Sequence, residues 1–126
     1  MSLIDFYHIH SQVSVDTHHE QYSITFNPQH PIFAAHFPNR PIVPGVCIVE
    51  IVRELISKMC HDEYSITEIK NLKFVEIIIP NEQHYLFDIA LTPFEDKSYS
   101  AKVLVTSDDK SHCYTKISFK TSTNTL

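Results

Sequence analysis

The chain has 126 residues, which is enough for one folded domain with a modest core but not for two. Hydrophobic residues make up 43% of the sequence and charged residues 20%, so the composition is that of a folded protein and not of a disordered one. The formal net charge is −5, which argues against general nucleic-acid binding because that function needs a basic surface.

No segment of the sequence is typical of a membrane or secreted protein. No apolar run approaches the roughly 18–20 residues that cross a bilayer, and the N-terminus lacks the pattern of a signal peptide. Three cysteines without a CxxC pair indicate reduced, separately buried thiols. We therefore expect a single cytoplasmic domain over residues 1–126 that binds neither membrane nor nucleic acid.

The N-terminal part predicts a β-hairpin followed by a helix. Residues 6–15 and 21–26 have the pattern of two short strands around a polar turn at 16–19. Residues 46–59 predict the single substantial helix, because their apolar residues recur at helical spacing. That apolar stripe consists of Ile48, Val52, Leu55, Ile56 and Met59.

The C-terminal half predicts four antiparallel strands. Residues 66–79 are rich in β-branched side chains and indicate one long strand. Alternation of apolar and polar residues predicts further strands at 85–92, 101–105 and 113–120, and residues 121–126 are expected to form a polar tail. Six strands and one helix indicate an α+β fold in which the helix packs on an antiparallel sheet.

Glu50 is the only carboxylate in the first two turns of the predicted helix, and two interpretations of it stay open. It lies opposite the apolar stripe, where periodicity favours a solvated carboxylate paired with Arg53 three residues later. The residues around it are almost all apolar, which favours a carboxylate covered by further protein. In a chain of this length a second subunit is the natural cover.

His36 and Gly45 also allow two interpretations each. A histidine between Ala35 and Phe37 is more often a hydrogen-bonded structural ring than a base, but proline-stiffened loops often carry working residues. Gly45, the only glycine, has two compatible interpretations: it gives the backbone freedom at a sharp turn, and it lets a ligand approach the free N–H groups of a helix start. A single glycine excludes a glycine-rich phosphate loop, and the spacing of the nine histidines does not match a metal site.

The segment from residue 30 to residue 54 resembles the 3-hydroxyacyl-acyl carrier protein dehydratases, which have the hotdog fold. Their motif is approximately H-P-x-F-x-G-H-F-P-G-x-P-x-x-P-G-V-x-x-x-E. The second histidine of that motif and its final carboxylate are separated by 14 positions, as His36 and Glu50 are here. A weaker match follows at Lys73-Phe74 and at residues 79–82. The matching motif residues are His30, Pro31, Phe33, His36, Phe37, Pro38, Pro41, Pro44, Gly45, Val46 and Glu50.

The resemblance implies a fold, a reaction and a site. It implies an antiparallel sheet wrapped around one long central helix, and dehydration of (3R)-3-hydroxyacyl thioesters on acyl carrier protein without a cofactor or metal. His36 would remove the C2 proton, and Glu50 would act as acid on the 3-hydroxyl, directly or through a water. The N–H of Gly45 or Val46 would hold the thioester carbonyl. Because the family takes its histidine and carboxylate from different subunits, we expect a homodimer or larger homo-oligomer. The candidate contacts to the carrier protein are Arg40, Arg53 and Lys73.

Several positions depart from the family motif. Ala35 and Asn39 replace glycines, Glu54 stands where typical members have glutamine, and Val75-Glu76 stands where arginines are common. These changes indicate a divergent member, serving fatty acid synthesis or a specialised acyl or polyene pathway. Two alternatives stay open: a hotdog thioesterase in which Glu50 activates water, and a non-catalytic acyl-binding hotdog subunit.

Overall fold

The structure, a computed structural model, describes residues 3–36 and 38–123 as six strands and two helices. In chain order the elements are β1 (Tyr7–Asp16), β2 (His19–Phe26), α1 (Pro31–Ala35), α2 (Gly45–Cys60), β3 (Tyr64–Phe74), β4 (Tyr85–Pro93), β5 (Tyr99–Ser107) and β6 (Cys113–Thr123). The strands form one antiparallel sheet in the order β1-β2-β4-β5-β6-β3. The predicted α+β class is confirmed.

The core lies between helix α2 and one face of the sheet. Four members of the predicted apolar stripe are no more than 3% exposed, whereas Met59 is only partly buried. Alternate residues of the strands fill the other side of the same cluster, as the alternation of apolar and polar residues predicts. These strand residues are Tyr22, Ile24, Tyr85, Phe87, Ile89, Leu91, Ala101, Val103, Val105, Ile117 and Phe119.

Helix α2 exceeds its predicted range by one residue at each end. It begins directly after Pro44, and it ends where His61 adopts the left-handed conformation and donates its N–H to the Ser57 carbonyl. Helix α1 was not predicted, although Pro31 at its first position is a typical start signal. Its five residues are too few for helical periodicity to show.

The predicted long strand over residues 66–79 is wrong at its C-terminal end. Strand β3 stops at Phe74, which pairs with Thr115 near the start of β6. After Phe74, almost nothing of β6 remains for the chain to pair with. The N–H groups of Val75 and Glu76 both donate to the Tyr114 carbonyl. The chain then turns inward, and Ile78 is buried while Ile77 and Ile79 are exposed.

The predicted polar tail over residues 121–126 is also partly wrong. Thr121 and Thr123 belong to β6, where they pair with Tyr99 and Tyr64 respectively. Thr121 is almost fully buried, and its hydroxyl donates to the Ser65 carbonyl over 2.6 Å. Residues 124–126 of that prediction lie outside the described part of the chain.

The two edges of the sheet are β1 and β3. Strand β3 carries large apolar side chains at this edge, and more follow directly after it. Such an edge is a template for pairing with another chain unless it is covered. The exposed apolar residues here are Ile69, Leu72, Phe74, Val75, Ile77 and Ile79.

No helix within the described ranges is long and apolar enough to cross a membrane. None of the three cysteines, all of which the structure describes, forms a disulfide. Cys47 is buried, as predicted, whereas Cys60 and Cys113 are only partly buried. Burial raises the pKa of the Cys47 and Cys60 thiols, which keeps both protonated near neutral pH.

Replacing Leu55 by Ala is expected to lower the free energy of unfolding by about 2–5 kcal/mol, because it leaves a cavity between α2 and the sheet. Lys58→Ala, on the exposed face of the same helix, is expected to cost less than about 1 kcal/mol. Urea unfolding at one fixed protein concentration measures both. Equal losses would contradict the orientation of the helix.

Candidate active site

The segment before α2 is anchored to the N-terminal part of the chain. Nδ1 of His30 accepts a hydrogen bond from the Ile32 N–H, and its Nε2 lies 3.0 Å from the Ile4 carbonyl oxygen. Phe33 is buried and stacks on Phe6 with ring centroids 5.2 Å apart. The two matching motif residues His30 and Phe33 therefore fix the position of α1.

His36 follows α1 directly. Its backbone N–H donates to the Ile32 carbonyl over 2.9 Å, which closes the last turn of α1, and its side chain is exposed. Ala35, where the family motif has glycine, is the last residue of that helix, and alanine favours a helix over glycine by about 1 kcal/mol. Phe37, the middle residue of the His-Phe-Pro step, lies outside the described residues.

The start of α2 presents backbone donors. The Pro44 carbonyl accepts from the N–H groups of Cys47 and Ile48, and Pro44 has no side chain that can cap the helix. Within the described part of the chain, the N–H groups of Gly45 and Val46 donate to no acceptor. The helix dipole adds partial positive charge at this end, so an oxyanion is favoured there.

Gly45 is required for space and not for backbone freedom. No glycine in the structure has a positive φ, so the interpretation that Gly45 permits an unusual turn is wrong. A Cβ on Gly45 would instead lie 2.6 Å from Cζ and 2.7 Å from Cε2 of Phe74. The Phe74 ring, at the end of the edge strand β3, thus packs against the first residue of α2.

Glu50 and Arg53 form an ion pair one turn further along α2. Nε and Nη2 of Arg53 both donate to Oε1 of Glu50, over 2.9 Å and 2.8 Å. The two side chains are 24% and 25% exposed, so the predicted pairing is present but is half-buried and not fully solvated. The hydrogen bonds that Arg53 donates to Glu50 raise the pKa of its guanidinium.

A cavity of about 630 Å³ lies beside this pair. Glu54 also lines it, and the carboxylate of Glu54 accepts a 2.7 Å hydrogen bond from the Tyr7 hydroxyl. Burial, and then the hydrogen bond to Glu54, raise the pKa of Tyr7. Tyr7 was not predicted from the sequence, because it lies 47 residues from Glu54 and belongs to no motif. The remaining lining residues are Leu3, Ile4, His8 and Ile9.

Among the described residues, hydrogen bonds and ion pairs do not link all of the predicted site residues. Gly45, Val46 and Glu50 share the first two turns of α2, but no hydrogen bond or ion pair among the described residues joins His36 to Glu50. Arg40 and Lys73 are exposed, whereas the Arg53 guanidinium is engaged within its own chain. Across the described ranges, no three His, Cys, Asp or Glu side chains are arranged to hold a metal ion.

A comparison with protein families assigns the chain to one of them. Residues 12–116 match the model of the ApeI-like family, which is described as ApeI dehydratase. The chain belongs to the ApeI-like dehydratase family. The matched range includes His36 and all of helix α2.

Curated relatives of this ApeI-like chain are also dehydratases or synthases. It is 30% identical over 112 residues to polyketide synthase PksN of Bacillus subtilis, covering 83% of this chain and 2% of the synthase. It is 31% identical over 90 residues to 3-hydroxyacyl-acyl-carrier-protein dehydratase FabZ of Aromatoleum aromaticum, covering 64% of this chain and 60% of that enzyme. The chain therefore spans less than two-thirds of either relative.

Solved dehydratase structures share the fold of this ApeI-like chain. The dehydratase heterocomplex ApeI:P from Xenorhabdus doucetiae matches with a TM-score of 0.77 at 18% identity, over 90% of this chain and 96% of that one. The dehydratase domain from the CurJ module of curacin polyketide synthase matches with a TM-score of 0.59 at 18% identity, over 93% of this chain and 42% of that one. These matches confirm the expected hotdog fold.

Gly45→Ala is expected to lower the free energy of unfolding by about 1–3 kcal/mol, because the added methyl group meets the Phe74 ring. Phe74→Leu removes the ring atoms concerned, so Gly45→Ala should cost much less in that background. Thermal and urea unfolding of the four variants in this cycle provide the measurement. A cost that stays the same in the Phe74→Leu background would contradict the packing explanation.

Proposed function

We propose that this ApeI-like protein dehydrates (3R)-3-hydroxyacyl thioesters on acyl carrier protein to trans-2-enoyl thioesters. One observation carries the proposal: the first two turns of one helix hold a half-buried carboxylate and two N–H groups that have no acceptor among the described residues. The family assignment and the FabZ relatives support this reaction over others. No cofactor or metal is part of the proposal.

In the proposed reaction, each group moves or stabilises one charge. His36 takes the proton from C2 of the substrate, and the electron pair moves toward the thioester carbonyl. The N–H of Gly45 or Val46 stabilises the resulting enolate oxygen. Collapse of the enolate expels the 3-hydroxyl group, which receives a proton from the protonated form of Glu50 and leaves as water. The proton taken by His36 then returns to Glu50 through solvent, which resets both groups. Base and oxyanion donors must act together because a thioester α-proton is only weakly acidic.

We also propose that each site is completed by a second copy of the chain. In the described part of the chain, no hydrogen bond or ion pair joins His36 to Glu50, and apolar side chains are exposed beside the start of α2. Phe74 lies between the start of α2 and the exposed edge of the sheet, since its ring contacts Gly45 and it is the last residue of β3. Pairing along β3 would cover this apolar surface. The ApeI:P structure from Xenorhabdus doucetiae is a heterocomplex, so a related but different chain is the alternative partner.

The carrier protein is proposed to dock through exposed cations. Lys73 of β3 lies directly across from Lys116 of β6, and both side chains are exposed. Arg40 is exposed in the loop before α2, close in sequence to the proposed base. Exposed cations at these positions suit an acidic carrier even though the whole chain has a net charge of −5. Arg53 is left out of this proposal because its guanidinium is engaged internally.

His36→Ala and Glu50→Gln are each expected to lower the rate of hydration of a crotonyl thioester by roughly 10²–10⁴-fold, because each removes a proton-transfer group. Loss of enoyl absorbance measures this rate. His10→Ala, which changes an exposed histidine of β1, is the matched control and should keep wild-type activity. The dehydratase assignment fails if the wild type is inactive, if it releases free thiol instead, or if activity survives both changes.

Mixed dimers test whether the site is shared. In a 1:1 mixture of His36→Ala and Glu50→Gln chains, half of the dimers are mixed and one site in each keeps both groups. The mixture should therefore regain about a quarter of wild-type activity after exchange of subunits. Recovery is measured after unfolding and refolding the two variants together. If His36 and Glu50 of one chain formed the site, no activity would return.

A further inference from the structure

We infer that Arg53 is a positioning residue that fixes the carboxylate of Glu50 for proton transfer. The inference rests on the proposed catalytic role of Glu50. It assigns to Arg53 a role in the chemical step, where the sequence suggested a contact to the carrier protein. Four features of the ion pair support it.

The first feature is the way Arg53 holds only one oxygen of Glu50. Both Nε and Nη2 of Arg53 donate to Oε1. Within residues 3–36 and 38–123, Oε2 of Glu50 accepts no hydrogen bond. These two hydrogen bonds from the guanidinium thus restrict rotation of the Glu50 carboxylate, and they leave its second oxygen for another partner. That partner is proposed to be the 3-hydroxyl of the substrate.

The second feature is that Arg53 is itself held from its far side. Its Nη1 donates to the Tyr64 carbonyl over 3.2 Å and to the Glu63 carboxylate over 3.3 Å. Tyr64 begins β3, so the guanidinium links the middle of α2 to the sheet edge. A guanidinium fixed at both ends is a better template for Glu50 than a freely moving side chain.

The third feature is selectivity between the two carboxylates of the cavity. Glu50 and Glu54 both line it, one helical turn apart, yet of these two carboxylates Arg53 bonds only that of Glu50 in the described structure. The Glu54 carboxylate is held instead by the Tyr7 hydroxyl. Each carboxylate therefore has its own donor, and the orientation of Glu50 depends on Arg53.

The fourth feature is partial burial. An exposed pair three residues apart on a helix usually contributes little, since both side chains pay entropy and water screens the charges. Here each side chain is about three-quarters covered and three guanidinium nitrogens are engaged. The position of the Glu50 carboxylate in such a pair is tightly restricted. Proton transfer depends on sub-ångström placement, so this restriction affects its rate.

Arg53→Met tests the inference because it keeps an unbranched side chain and removes every donor. We expect kcat for crotonyl thioester hydration to fall roughly 10–100-fold, with KM within about twofold of wild type, because the loss acts on the chemical step. Arg53→Lys keeps one charged donor and should recover part of kcat. Lys58→Met removes a cation from the exposed face of the same helix, outside the cavity, and is the matched control, with kcat close to wild type.

The decisive measurement repeats Arg53→Met in the Glu50→Gln background, at enzyme concentrations that keep the residual rate measurable. A positioning residue that acts through Glu50 should have no further effect there. An equal fold-loss in both backgrounds would overturn the inference in favour of a general structural role. A rise in KM with kcat unchanged would also overturn it, and would restore Arg53 as a carrier contact.

Failure of the inference is distinguishable from failure of the proposed function. If Glu50→Gln retains wild-type activity, the proposed role of Glu50 is wrong whatever Arg53 does. If Glu50→Gln is inactive and Arg53→Met has wild-type kcat, only the positioning role is wrong. Thermal unfolding of each variant checks folding, and Arg53→Lys supplies the comparison of kcat with KM if Arg53→Met does not fold.

Discussion

The burial of helix α2 against one face of a single sheet is the constraint on which the rest of the structure depends. One sheet covers one side of a helix, and the stripe of Ile48, Val52, Leu55 and Ile56 is turned to that side. The polar residues between these positions must then lie on the uncovered side. Glu50 and Arg53 therefore face a cavity because the apolar stripe of the same helix must face the sheet. The sequence around Glu50 is not itself polar. The same packing places the start of α2 beside the sheet edge, where Phe74 contacts Gly45.

Much of this arrangement was predictable because it repeats locally. Helix α2 and strands β4 to β6 have periodic side chains, and each lies within a few residues of its predicted position. The prediction of an N-terminal hairpin is confirmed for the same reason. The run at Ile77, Ile78 and Ile79 wrongly predicts that β3 continues to residue 79. Residues of high β propensity form a strand only where a neighbouring strand remains to pair with. The end of β6 is missed for the opposite reason: Thr121 is polar, but it lies on the buried face of β6 and its hydroxyl donates to the Ser65 carbonyl.

For the candidate site, the motif supplied the residues and the structure supplied their surroundings. His36, Gly45 and Glu50 were found because their types and spacing match a family pattern. The hydroxyl of Tyr7 and the ring of Phe74 were not, because each reaches the site across a distance in sequence that no local pattern records. For Arg53 the sequence predicts two roles, a pairing with Glu50 and a contact to the carrier protein. The bonds to Glu50 and to the Tyr64 carbonyl confirm the pairing and turn the side chain toward its own subunit.

The exposed edge of β3 has a consequence for how such proteins diverge. Strand edges join mainly through backbone groups, which are the same in every chain, so partner choice rests on a few side chains such as Ile69, Leu72 and Phe74. In the proposed dimer, each site needs a histidine from one chain and a carboxylate from the other. After gene duplication, one copy can then lose its histidine while its twin loses the carboxylate, and the pair still keeps one complete site. Selection would then maintain the two genes together, because neither product is active alone.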